Sequence, residues 1–118
     1  MKLRKEYTCP LELTHDIIRG KWKPIILWQL GKGTSSLAYL QKSIEGIGQK
    51  MLLQHLSELQ AFGMLEKKQF DGYPLKVEYS LTEKGKRMLE VVVAMQKIGI
   101  ELMKEDGREA FLQEKGLI

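Results

Sequence analysis

Cysteine occurs once in these 118 residues, at Cys9, so no disulfide can close within the chain and a reducing cytoplasm is the expected setting. Long apolar runs are missing. The longest, Pro24 to Trp28 and Val91 to Met95, fall far short of the ~20 residues a membrane-spanning helix needs. The opening MKLRKEYT is charged with no apolar stretch behind it, which does not fit a secretory signal. Internal repeats, low-complexity segments and linker-like stretches are absent too, so residues 1–118 read as a single domain. Chemistry-bearing patterns are equally scarce. Cys9, His15 and His55 are linked by no motif, no phosphate-binding glycine loop is present, and no metal-ligand spacing occurs. Neither an enzyme, nor a cofactor, nor a metal is expected.

What the chain does have is positive charge, unevenly placed. Residues 1–87 carry 15 Lys and Arg against 9 Asp and Glu, whereas residues 88–118 carry 4 against 6. A basic body with a mildly acidic tail suits a polyanionic partner, although a solvated surface would look the same.

Thr8-Cys9-Pro10 opens a first helix, with proline where its missing N–H does no harm. Leu11, Leu13 or Thr14, Ile17 and Ile18 supply its apolar stripe, and Gly20 ends it. Trp22 to Leu30 reads as a second helix, since Pro24 is tolerated in a first turn. Thr34-Ser35-Ser36 offers N-caps for a short helix carrying Leu37, Leu40 and Ile44. After the tight turn Gly46-Ile47-Gly48, a further helix runs from Gln49 to about residues 61–62. The period then changes. Met64 to Phe70 and Leu75 to Leu81 flank Asp71-Gly72-Tyr73-Pro74, and Leu75, Val77, Tyr79 and Leu81 alternate with polar residues, the mark of a hairpin. Thr82 caps a long helix over about 83–104, and Arg108 to Lys115 could form a last short one.

Helices, a glycine turn and a hairpin in this order describe a mainly α fold with a small β wing, the winged helix-turn-helix. On the helix over 49–61, Leu52, Leu56 and Leu59 share one face. Lys50, Gln54, Ser57 and Ala61 share roughly the opposite one. Lys and Gln can bond base edges in a major groove, and small residues let a helix lie close to it. The helix start at Gly48 and Gln49 offers unpaired N–H groups to a phosphate. Leu53 could meet a thymine methyl or pack under the preceding helix, and His55 is expected to be a packing residue. At the wing, Lys67, Lys68 and Lys76 could reach phosphates; for the first two, protection of an edge strand is a serious alternative.

Four stretches together resemble the HxlR family of winged helix-turn-helix transcriptional regulators, itself similar to the MarR group. They are Cys9-Pro10-Leu11-Glu12, Ile18-Arg19-Gly20-Lys21-Trp22-Lys23, Gly46-Ile47-Gly48-Gln49-Lys50-Met51-Leu52 and Val77-Glu78-Tyr79-Ser80-Leu81-Thr82. The resemblance implies a homodimer on a pseudo-palindromic operator of double-stranded DNA, with the helix over 49–61 in the major groove and residues 64–81 as wing. Lys50, Gln54 and Ser57 would read bases with Leu53 beside them, Gln49, Ser35 and Ser36 would hold phosphates, and Lys76 would anchor the wing. Three positions depart from the family pattern. Ser36 stands where arginine is common, Gly48 replaces a usual serine cap, and Leu75-Lys76 replaces a Pro-Arg pair better suited to bidentate contacts. A winged helix used only for protein–protein contact is the alternative.

The long helix argues for a dimer on its own. Its apolar residues cover roughly 220° of circumference, where an ordinary surface helix buries little over 100°. Met88, Val92, Met95, Ile98 and Leu102 are the expected interface, completed by the N-terminal helix; cover by the N-terminal helices within one chain is the alternative. Cys9 is the candidate for signal detection, because a helix start and nearby cations such as Arg4 and Lys5 favour reactive thiolate. Some members of the HxlR family sense oxidants or electrophiles with a cysteine at this position. A small-molecule or redox inducer is therefore a possible partner, and Cys9 as a small packing residue is the competing reading.

Overall fold

Pro10–Ile18 forms the first helix, α1, in the computed structural model, which describes residues 6–118. Cys9 is its N-cap in extended conformation, and the Glu12 carboxylate accepts from both the backbone N–H and the hydroxyl of Thr8. The expected apolar stripe divides. Ile18 reaches the core and Ile17 packs against it, but Leu11 is 75% exposed and Leu13 38%. An apolar stripe says that a face seeks cover, not which chain supplies it.

Helix α2 (Trp22–Leu30) occupies the bounds read from the sequence and runs through the centre of the molecule. Ile26, Leu27 and Leu30 are buried, as is Lys23. Next comes an element the sequence did not disclose, the short strand β1 (Ser35–Ser36). Ser36 then caps helix α3 (Leu37–Ser43), its hydroxyl accepting from the Tyr39 N–H at 3.1 Å.

Gly46, with φ of 89°, makes the turn that admits α4 (Gln49–Ala61). That left-handed conformation is one a side chain would strain. Beneath α4 lie Leu52, Leu56 and Leu59, each at most 1% exposed; burying a leucine contributes about 1.5–3 kcal/mol. The helix ends at Phe62, after which Gly63 adopts φ of 79° and lets the Met64 N–H reach the Leu59 carbonyl at 2.9 Å.

The hairpin pairs β2 (Leu65–Phe70) with β3 (Lys76–Leu81), antiparallel, from Leu65 opposite Leu81 to Phe70 opposite Lys76. β1 adds to the far side of β3, with Ser35 opposite Tyr79, giving a three-stranded sheet in the order β1-β3-β2. Only Leu65 of β2 is buried. The strand is thus anchored at its base, and the rest projects as a wing.

Thr82 joins the wing to α5 (Glu83–Glu105). Its hydroxyl donates to the Gly63 carbonyl and accepts from the Gly85 N–H, while its own N–H donates to the Met64 carbonyl. Gly85 is forced by that approach, because a Cβ there would lie 1.8 Å from the Met64 carbonyl oxygen. Helix α6 (Glu109–Glu114) closes the chain, pinned by the buried Leu112. Lys115, just past it, pairs with Glu45 in the α3–α4 turn at 2.5 Å.

Candidate nucleic-acid interface

Two short helices, α3 and α4, meet at the Gly46 turn, and α4 lies across the core on its three leucines. That support fixes which residues face out. Gln49, Lys50, Gln54, Ser57 and Ala61 are all exposed, and Leu53 is 40% exposed beside them. The polar row expected from the spacing is therefore a continuous outer face, ~20 Å long by helical rise. Leu53 does not pack away beneath α3. At the N-terminal end, Gly48 caps the helix without a side-chain hydrogen bond, leaving the first-turn N–H groups open to an anion.

A largely buried ion pair links this helix to α2. Lys23 of α2, 1% exposed, places Nζ 3.2 Å from Glu58 Oε2 and 5.7 Å from the centre of the Phe62 ring. Sequence reasoning missed it because Lys23 sits in the basic-looking stretch Lys21-Trp22-Lys23. The available signal was its position three and four residues before Ile26 and Leu27, on the buried stripe of α2.

His55 packs beside the pair. Its Nδ1 is 3.9 Å from Glu58 Oε1, too long for a hydrogen bond, and finds no partner among the described residues. Burial pushes its pKa below the ordinary imidazole value, helped by the charge of Lys23 and opposed by that of Glu58.

Of the two serines expected to hold phosphates, one faces inward. Ser35 is 5% exposed, and its hydroxyl donates to the Gly33 carbonyl at 3.1 Å. Its place in β1 turns it inward, so no phosphate can reach it. Ser36 is half-buried and its oxygen accepts the α3 cap bond, while its proton can still be offered outward.

On the wing, Lys67, Lys68 and Lys76 are exposed. Lys76 pairs with Glu78 at 3.1 Å but keeps 65% of its side chain in solvent. The Lys68 and Lys76 ammonium groups both lie near the Phe70 ring, at 5.2 and 5.7 Å from its centre, so an aromatic ring holds them on one side of the hairpin.

Along α5 the expected interface residues separate. Met88 and Val92 are 9% and 4% exposed and belong to the chain's own core, where they pack against α2. Met95, Ile98 and Leu102 stay about half exposed, joined by Val91. Cys9 is exposed at the start of α1; Arg4 and Lys5, expected near it, lie outside the described residues. No helix among the described residues is long and apolar enough to cross a membrane, and no group of three or more His, Cys, Asp or Glu side chains among them could hold a metal.

A helix-turn-helix backed by a hairpin wing defines the winged helix-turn-helix class of regulators. Within that class the chain belongs to the HxlR-like helix-turn-helix family, whose model matches residues 17–107. It is 40% identical over 88 residues to YkvN of Bacillus subtilis strain 168, an uncharacterized HTH-type transcriptional regulator, spanning 75% of each chain. Among solved structures it resembles the redox regulator HypR in its oxidized form, with TM-score 0.75 and 36% identity over 79% of this chain and 96% of that one. It also resembles diamide-treated YodB of B. subtilis, with TM-score 0.68 and 30% identity over 81% of this chain and 96% of that one. The chain is a transcriptional regulator of the HxlR type, and these relatives are regulators rather than enzymes.

Proposed function

We propose that this chain is a single-domain, sequence-specific DNA-binding regulator that acts as a homodimeric repressor. The observation that carries the reading is the outer face of α4, a polar row held over three buried leucines and flanked by an exposed lysine-bearing wing. Lys50, Gln54 and Ser57 read base edges, and Leu53 contacts a thymine methyl. Gln49 and the open helix start hold a phosphate, Ser36 donates to another, and Lys76 anchors the wing.

The dimer forms through the apolar side of α5 that the chain leaves uncovered, Met95, Ile98 and Leu102 with Val91, and through Leu11 and Leu13 of α1. A two-fold axis there sets two α4 helices about one DNA turn, ~34 Å, apart. A dimer seated on a promoter excludes polymerase, hence repression. Exposed Cys9 serves as the thiol that detects oxidants or electrophiles; the redox regulator HypR and YodB, solved after diamide treatment, support this reading.

Operator fragments selected from genomic DNA test the proposal. Affinity for them should fall steeply with salt, because each phosphate contact releases condensed counterions. Diamide should release wild type but not Cys9→Ser. A duplex shift that ignores sequence and salt would leave a protein-contact module instead, and equal diamide responses would remove Cys9 from the mechanism.

A further inference from the structure

Asparagine is absent from the chain and aspartate occurs three times; two of the three, Asp71 and Asp106, are followed directly by glycine. The third, Asp16, is 3% exposed within α1 and precedes the branched Ile17. In an Asp-Gly pair the side-chain carboxyl meets the next backbone nitrogen with least obstruction, because glycine has no Cβ to shield it. The fold puts the two pairs in different settings.

Asp71 and Gly72 lie in the loop over 71–75, between β2 and β3. Both are exposed, and Gly72 has φ of 144° with open space where a Cβ would stand. Neither the Asp71 carboxyl nor the Gly72 N–H makes a hydrogen bond among the described residues. Loop tips of this kind are where a backbone moves most freely. Asp106 and Gly107 are exposed as well, but they terminate α5. Asp106 Oδ2 accepts from Arg108 Nε at 2.6 Å, and the Gly107 N–H donates to the Lys104 carbonyl at 3.1 Å. The N–H groups on either side, of Asp106 and Arg108, donate to the Leu102 and Met103 carbonyls. At this second pair the amide cannot swing toward the carboxyl without opening the helix end. Exposure does not separate the two sites; hydrogen bonding does.

We infer that Asp71 is a site of spontaneous backbone isomerisation and that Asp106 is protected from it. The Gly72 nitrogen attacks Cγ of the protonated Asp71 carboxyl. An N–Cγ bond forms, the C–OH bond breaks, and the hydroxyl leaves with the amide proton as water. A water molecule then opens the five-membered imide. Attack at Cγ restores aspartate; attack at the backbone carbonyl leaves the chain running through Cβ and Cγ, with a free α-carboxylate. Mass is unchanged, and no other reactant is needed. The backbone gains one carbon, ~1.5 Å, between Phe70 and Lys76, the last paired residues of the hairpin. Helix α4 contains no aspartate. Under the DNA-binding role proposed above, the wing is therefore the part of the interface that ages.

The full chain, incubated without DNA in mildly acidic buffer and then cleaved after lysine, yields peptides over 69–76 and 105–115, with one Asp-Gly pair in each. Chromatography with mass detection should show a second peak of equal mass growing from the first peptide at least tenfold faster than from the second. A tenfold gap corresponds to ~1.4 kcal/mol, about what one intramolecular hydrogen bond contributes. In urea-unfolded chain the two rates should converge. Asp71→Glu should abolish the second peak at 69–76, since its ring would need six members. The inference is overturned if no second peak appears at 69–76 or if the two native rates are equal. A gap that survives unfolding would also overturn it, because neighbouring residues rather than the fold would then set the difference. No DNA enters, so this inference and the DNA-binding proposal can each fail alone.

Discussion

Lys23 and Glu58 meet at 3.2 Å between α2 and the helix that faces outward, with the lysine almost wholly buried. A lysine so placed depends on its ionic partners, and removing one partner of a buried charge is costly. Glu58→Ala should cost about 3 kcal/mol in urea denaturation. Lys23→Met with Glu58→Leu should recover most of that loss, because an apolar pair of similar volume avoids the desolvation. If Glu58→Ala unfolds at the wild-type midpoint, the pair does not hold α4.

His55, next to that pair, gives stability a pH dependence of definite sign. Its pKa lies below the ordinary 6.5 in the folded chain because burial, aided by Lys23, disfavours the imidazolium. Between the folded value and 6.5 the unfolded chain binds more protons, so stability rises with pH through that window and levels off above it. Urea melts between about pH 5 and 7.5 should show this slope. The slope should flatten in His55→Gln, and an unchanged profile in that variant would assign it elsewhere.

The two interior glycines of α5 should respond oppositely to alanine. Gly85→Ala brings a Cβ within 1.8 Å of the Met64 carbonyl oxygen, so the start of α5 must move and the melting temperature must drop. Gly99→Ala meets nothing within 4 Å and should gain about 1 kcal/mol from helix propensity, a rise of about 4 °C. Thermal melts followed by circular dichroism decide both.

Gln54 is the sharpest test of base reading. Gln54→Ala should lose ~1–3 kcal/mol of discrimination at one operator position while retaining binding to scrambled DNA. Competition against single-base operator variants measures it. Unaltered ranking of those variants would mean that α4 does not read there.

On α5, Ile98→Glu with Leu102→Glu should give a folded monomer in sedimentation velocity, because both side chains are more than half exposed in the single chain. Met88→Ala should behave differently, costing about 2–5 kcal/mol of fold stability as a core truncation. A persistent dimer in the double variant would move the seam off this face.

How much was legible depended on how local the signal was. The α4 leucines declared themselves through helical spacing, and α2 and α4 begin and end at punctuation any reader can see, Pro24 near one start and glycines around the other helix. β1 was invisible because two serines have no period; only pairing with Glu78 and Tyr79, over forty residues on, makes them a strand. That long-range pairing also turned Ser35 inward and defeated its assignment to phosphate. Met88 and Val92 failed for a related reason. Apolar spacing on α5 cannot say which part of a broad stripe α2 will cover. Lys23 shows the converse, a buried charge that meets a carboxylate on another helix.

The contact between Glu45 and Lys115 reaches from the α3–α4 turn to the chain's last residues, and both partners are solvent-exposed. Mobile ions screen such a pair over ~10 Å at 0.1 M salt, the same range in which phosphate contacts weaken. A salt titration of DNA affinity would therefore count two things at once: counterions released from the duplex, and slackening of the turn that aims α4. Lys115→Gln, already without the tie, gives the baseline from which the number of phosphates can be read.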